Sequence, residues 1–332
     1  MSKISILGCG AWGMALALSA HASEHCVTMY SPFEEEVELL KTTRQNPKLL
    51  SGVTLAEDIC ITNNLADLEN SNITIIATPS FAVRETAKKI RSLENAGVVV
   101  NVAKGVEKDT LLRFSEVIEQ ELPSSPIVVL SGPSHAEEVA RRVPTSLVAA
   151  SKDSVAADMV QSALSSEFLR IYTNPDIVGV EFGGALKNVI AIAAGICEGL
   201  ELGDNTRAAL ITRGLTEMAR LGSAYGANDK TFAGLSGLGD LIVTCTSKHS
   251  RNNRFGNLLG KGTSVEQALK EVGTVEGYYA AETAYKMATD AKVEMPIIEQ
   301  CYHILYNNFD ARTSVKNLML RENKNEIDGI NF

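Results

Sequence analysis

The chain has 332 residues, of which 45% are hydrophobic and 21% charged, and its formal net charge is −9. That length exceeds one ordinary core and suits two domains, and the composition is too apolar for a disordered or fibrous chain. The acidic balance excludes a general attraction to nucleic acid or anionic lipid, so a phosphate-bearing ligand has to be gathered by a few locally placed cations.

The longest apolar stretches, such as residues 189–196 and 73–77, fall short of the roughly 20 residues of a bilayer span, so no membrane span is expected. At the N-terminus the apolar run is interrupted by Gly8 and lacks a cleavage site, which predicts a cytoplasmic protein. Cys9, Cys26, Cys60, Cys197, Cys245 and Cys301 show neither CxxC nor zinc spacing; reduced thiols, no disulfides and no metal are expected.

In chain order, Ile4-Ser5-Ile6-Leu7 predicts a buried strand that runs into Gly8-Cys9-Gly10-Ala11-Trp12-Gly13, with a small-residue helix over 14–21 behind it. In a dinucleotide-binding unit Gly8 permits the tight turn, Gly10 lets the backbone approach a pyrophosphate, and Gly13 lets helix and strand pack closely. A second strand, Cys26-Val27-Thr28-Met29-Tyr30, follows at the expected distance. Its end usually identifies the cofactor, with an acidic residue for NAD or an arginine for NADP, but here stand Ser31-Pro32-Phe33 and then three glutamates. Ser31 could bond either cofactor, and the glutamates suit a helix first turn.

Three further strands are predicted at 73–77, 98–102 and 127–130, leading into Thr78-Pro79-Ser80, Ala103-Lys104-Gly105 and Ser131-Gly132-Pro133-Ser134. All three loops should border one crevice beyond the strand ends, which makes Lys104 a candidate phosphate cation. After about Pro175 the β-branched runs give way to Ala-, Leu- and Gly-rich helical spacing. The expected class is α/β: a Rossmann-like doubly wound sheet over residues 1–178, then an all-helical domain over 179–332.

Within the apolar stretch 181–200, Lys187 either snorkels to the surface or sits desolvated with a lowered pKa, suited to proton transfer. Asn188 beside it could orient a carbonyl or hydroxyl. In the apolar passage 231–246 the lone carboxylate Asp240 either caps a helix or pairs with Lys187. The polar run 247–254 is either a solvated loop or an anion clamp in which Arg251 holds a phosphate, helped by Ser250 and Asn252.

Taken together, residues 8–13, 103–107, 131–138, 185–189, 237–241 and 250–252 lie in an order and spacing by which the chain resembles, almost end to end, the NAD(P)-dependent glycerol-3-phosphate dehydrogenase family. The resemblance implies a homodimer with NAD or NADP on the N-terminal sheet. It also implies a phosphorylated substrate between that sheet and a helical substrate-binding and dimerisation domain, and a supply of glycerol 3-phosphate to phospholipid synthesis. By the same likeness Lys104 and Lys187 are catalytic, supported by Asp240 and Asn188 with Thr244 at the border. Gly132, Ser134, Ser250, Arg251 and Asn252 match substrate contacts, and Ala11, Trp12, Lys104, Ala136, Arg251, Thr274 and Glu276 match cofactor contacts. Two segments depart from the pattern: Ser31-Pro32, where relatives often carry a basic residue, and the loop 46–52. The rivals are a β-hydroxyacid or 6-phosphogluconate-type dehydrogenase on the same plan and, from another class, a non-catalytic dinucleotide sensor, which would lack Lys187 or Asp240.

Overall fold

A computed structural model describes residues 1–93, 95–323, 325 and 326; the end of the second expected domain, 327–332, lies outside the described residues. The strands are β1 (Lys3–Leu7), β2 (Cys26–Tyr30), β3 (Cys60–Thr62), β4 (Ile73–Ile76), β5 (Val98–Asn101), β6 (Ile127–Ser131), β7 (Thr145–Ala150) and β8 (Leu169–Asn174). They form one sheet in the order β3-β2-β1-β4-β5-β6-β7-β8. β1 to β6 are parallel, β7 joins antiparallel to β6, and β8 pairs parallel with β7.

Every residue of β4 and β5 is buried, as in parallel strands covered on both faces. The side chains alternate between two cores. On one face Ile4, Ile6, Val98 and Val100 pack with Met14 and Leu16 of α1 (Ala11–Ala22), Val37 and Leu40 of α2 (Glu34–Thr43), and residues of the later helices α5 (Ala136–Ala140) and α6 (Ser154–Leu164). On the other, Leu7, Tyr30, Ile76 and Val99 meet Val83 and Ile90 of α3 (Val83–Ile90) and Phe114 and Ile118 of α4 (Phe114–Glu121). Five of the strands lie where the sequence predicts them, β2 without change and the other four with one end displaced by a residue. β3, β7 and β8 were not expected.

Beyond β8 the described chain is helical: α7 (Ile177–Gly199), α8 (Gly203–Ala224), α9 (Asp229–Phe232), α10 (Asp240–Thr246), α11 (Arg251–Gly260), α12 (Val265–Val272), α13 (Glu276–Ala291), α14 (Pro296–Tyr306) and α15 (Ala311–Met319). The change of architecture falls at Pro175-Asp176, just ahead of the boundary expected after residue 178. Helix α7 is the axis. Contrary to the expectation from short apolar runs, it is long and apolar enough to cross a membrane by length and composition, but 94% of that window is buried inside the protein, as a core helix should be. Gly195 lies against the Asn253 carbonyl of α11, and Gly256 of α11 against the Ile192 carbonyl, so the two backbones cross with no room for a Cβ at either glycine. The two halves are joined near the N-terminus of α7, where Glu181 accepts hydrogen bonds from Arg113 Nη1 at 2.5 Å and from the Ser115 amide and hydroxyl at 2.8 and 2.6 Å.

Candidate active site

β1 ends in a turn that only glycine can make at its first position. Gly8 has φ of 120°, and a Cβ there would lie 2.5 Å from the Ala77 carbonyl oxygen. Gly10, at the N-terminus of α1, has open space where a Cβ would be, no side chain caps the helix, and no acidic residue stands in its first turn. Uncapped N–H groups facing open space, at the positive end of a helix, fit a dinucleotide pyrophosphate. Trp12 lies partly buried in that first turn, and Ala136 opens α5, which packs against α1.

In the helical half, Lys187 occupies the middle of α7 and is 6% exposed. Asp240, at the start of α10, is 1% exposed and accepts from Lys187 Nζ at one oxygen and from Lys104 Nζ, at 2.6 Å, at the other. The helix-cap alternative for Asp240 is excluded, because Gly239 is the N-cap and the carboxylate is taken up by ammonium groups. Lys104 Nζ also donates to the Gly132 carbonyl at 3.1 Å and to Ser134 Oγ at 3.4 Å, which places all three of its donors. Lys187 Nζ uses a second donor on Thr244 Oγ1 at 2.8 Å, so among the described residues one N–H is left over.

Burial and then the nearby Lys104 charge lower the Lys187 ammonium from its usual range to about 8, with Asp240 pulling the other way. For Asp240, burial favours the neutral acid, but the two lysines outweigh it and hold the carboxyl below its usual value. One carboxylate between two ammonium groups leaves a surplus positive charge at the crevice.

The next residues build a polar wall. Asn252 Nδ2 donates to Asn188 Oδ1 at 2.9 Å, and Asn252 Oδ1 accepts the Gly277 amide at 2.9 Å, tying α7, α11 and α13 together. Ser250 Oγ caps α11 by accepting the Asn253 amide at 3.2 Å. Arg251, the first residue of α11, is exposed, as is Thr274. Half-buried Glu276 has its carboxyl pushed up by burial, against the charges of Arg251, Lys104 and Lys187, so it borders the same cationic group.

Residues 3–157 match the model of the NAD-dependent glycerol-3-phosphate dehydrogenase N-terminus and residues 176–316 that of its C-terminus. The chain belongs to the NAD-dependent glycerol-3-phosphate dehydrogenase family. It is 49% identical to a glycerol-3-phosphate dehydrogenase [NAD(P)+] of Desulfitobacterium hafniense, covering 99% of this chain and 94% of that one. It is 48% identical to the enzyme of that name from Fusobacterium nucleatum, over 98% and 99% of the two chains. Among solved structures, the glycerol-3-phosphate dehydrogenase of Coxiella burnetii superposes with a TM-score of 0.92 at 37% identity, covering 96% of this chain and 99% of that one.

In this member of the dehydrogenase family the expected residues divide into three groups. Lys104, Gly132, Ser134, Lys187, Asp240 and Thr244 meet directly through the hydrogen bonds above. Asn188, Ser250 and Asn252 make the supporting wall, with Arg251 and Glu276 at its edge. Gly8, Gly10, Ala11, Trp12 and Gly13 form the glycine turn, while Ser31 is buried with its hydroxyl donated to Glu36 Oε2 at 2.5 Å. The sequence did not single out two polar groups beside the lysines, Ser131 Oγ and His135 Nε2, which are buried with no hydrogen-bond partner among the described residues. Burial lowers the His135 pKa, and the charge of Lys187 contributes, so the ring lies near the lysine centre. Its signal was its place inside the run 131–138.

Proposed function

We propose that the chain interconverts dihydroxyacetone phosphate and sn-glycerol 3-phosphate with a nicotinamide dinucleotide, and that Lys187 handles the proton on the reacting oxygen. What carries this reading is the desolvated Lys187, with one donor to spare, held by Asp240 beside Lys104 at the end of β5. The nicotinamide supplies the hydride when NAD(H) or NADP(H) is bound, and Gly10, Ala11, Trp12 and Gly13 would hold its pyrophosphate. Lys187 donates its spare N–H to the substrate carbonyl, stabilises the charge that grows on that oxygen during reduction, and delivers the proton. Asp240 keeps the ammonium in place through this change. Lys104, anchored to Gly132 and Ser134, orients the hydroxyl end of the substrate.

Arg251, exposed at the N-terminus of α11, binds the phosphate together with Asn252 and Ser250, and this remote binding energy places the carbonyl for reaction. Asn188 holds Asn252 in register for that contact. A cytoplasmic location belongs to the same reading and is supported by the free, exposed thiols of Cys26 and Cys60. A homodimer and a contribution to phospholipid synthesis rest on the family likeness.

A substrate panel followed by nicotinamide absorbance is the test. Turnover of dihydroxyacetone phosphate and glycerol 3-phosphate is expected. Turnover of a β-hydroxyacid or 6-phosphogluconate with neither of those overturns the assignment, and nucleotide binding without turnover of any substrate would make the chain a sensor.

A further inference from the structure

At the end of β2 the structure holds a contact that neither the glycine turn nor the lysine centre uses. Ser31 donates to Glu36 Oε2 at 2.5 Å while its Oγ accepts the Phe33 amide at 3.3 Å. Glu34, Glu35 and Glu36 all lie in the first turn of α2, and the first two are exposed; Glu36 folds back onto the strand end. Its charge reaches the glycine turn: burial first, then the Glu36 carboxylate, push the Cys9 thiol far above its usual range. The Gly8 amide donates to the Tyr30 carbonyl at 2.9 Å, so the carboxylate held by Ser31 stands at a strand end directly bonded to the glycine turn, the two places that flank the adenosine ribose in a sheet of this strand order.

We propose that the Ser31–Glu36 pair makes this chain select NAD(H) over NADP(H), by accepting a ribose hydroxyl hydrogen bond and repelling a 2′-phosphate; this deepens, and rests on, the reading of the chain as a nicotinamide-dependent dehydrogenase. The usual acidic selector is a residue about 20 positions after the glycine turn, at the strand end itself. Here that position is occupied by Tyr30 and Ser31, and Pro32-Phe33 turns the chain so that the carboxylate arrives from the following helix. A 2′-phosphate, carrying close to two negative charges, would be repelled by that carboxylate. Lys89, 5.8 Å from the Tyr30 ring centroid, is near the same strand end but on the other face. Tyr30 packs in the core with α3 and α4, whereas Cys9 and α2 belong to the opposite face.

Trp12 is the one tryptophan of the chain and sits at the glycine turn, so its fluorescence reports nucleotide binding without turnover. In titrations of the full chain, NADH should bind about tenfold or more tightly than NADPH, the size expected of a like-charge contact. Glu36→Gln, at a half-exposed site and keeping an oxygen that can accept from Ser31, should narrow that ratio by about tenfold, as removal of the repelling charge requires. Lys89→Ala should leave it unchanged. Equal or tighter NADPH binding, an unchanged ratio in Glu36→Gln, or binding of neither nucleotide overturns the proposal. Measuring kcat/KM for both nucleotides with dihydroxyacetone phosphate separates the two levels: an NADH binding preference with no turnover sinks the assigned reaction and leaves the selection by Glu36 standing.

Discussion

Two buried carboxylates link α7 to the rest of the molecule, and they are built to opposite effect. Glu181, on α7, faces the single guanidinium of Arg113, which is itself shared with Glu116 at 2.8 Å, and two donors from Ser115 fill its remaining lone pairs. Burial outweighs Arg113 there, so the Glu181 carboxyl is raised above its usual value. Asp240 faces two ammonium groups, and they outweigh its burial. At the first, one cation is shared between two carboxylates and three donors fill the Glu181 oxygens, so no positive charge is left over, which makes it a clamp. At the second a positive charge and one Lys187 donor are left over, which is what an anionic substrate with a carbonyl oxygen needs. Burial and pairing alone do not mark a site; an unspent donor and a surplus positive charge do.

The sharpest way to break that comparison is Lys187→Ala. Loss of the proton donor should cost about 10²–10⁴ in kcat for reduction of dihydroxyacetone phosphate. The variant should still fold, because Asp240 keeps its pair with Lys104. Steady-state activity within tenfold of the parent would remove Lys187 from the chemistry.

Arg113→Ala should do the reverse. Leaving Glu181 buried without its cation costs about 3–5 kcal/mol of stability. A urea titration should show that loss, while kcat per folded molecule stays close to the parent's. A variant as stable as the parent but catalytically poor would erase the distinction between clamp and site.

How far the sequence discloses this depends on how local the signal is. β1, β2, β4, β5 and β6 were legible as short apolar runs next to loops. β7 (Thr-Ser-Leu-Val-Ala-Ala) is made largely of small residues with weak strand preference, and its antiparallel placement depends on pairing with β6. β8 alternates buried and exposed residues at the sheet edge, and β3 has only three residues. Lys187 and Asp240 stood out because charges in apolar surroundings demand partners. That Asp240 is shared with Lys104, 136 positions away, belongs to the tertiary fold and could not be read from spacing. The Ser31–Glu36 contact was hidden for a different reason: three adjacent glutamates look equivalent until the helix direction chooses one.

The smallest effect is a slope with pH, and its sign follows from Lys187. Its ammonium titrates near 8 in the folded chain against 10.5 as an ordinary lysine. Reduction needs the protonated form, so kcat/KM for dihydroxyacetone phosphate should fall above about pH 8, and oxidation of glycerol 3-phosphate, which needs the neutral amine, should rise through the same point. For stability, both states carry the proton below about 8, where the cost of a buried charge is fully present. Between 8 and 10.5 the unfolded chain binds more protons than the folded one, so unfolding free energy should rise with pH across that window. Urea titrations of the parent and Lys187→Ala at matched pH isolate the effect, since only the parent carries the group. A parent that gains nothing over the variant across that window, together with a flat reductive profile, would mean that Lys187 is an ordinary lysine and that the contrast with Glu181 lies elsewhere.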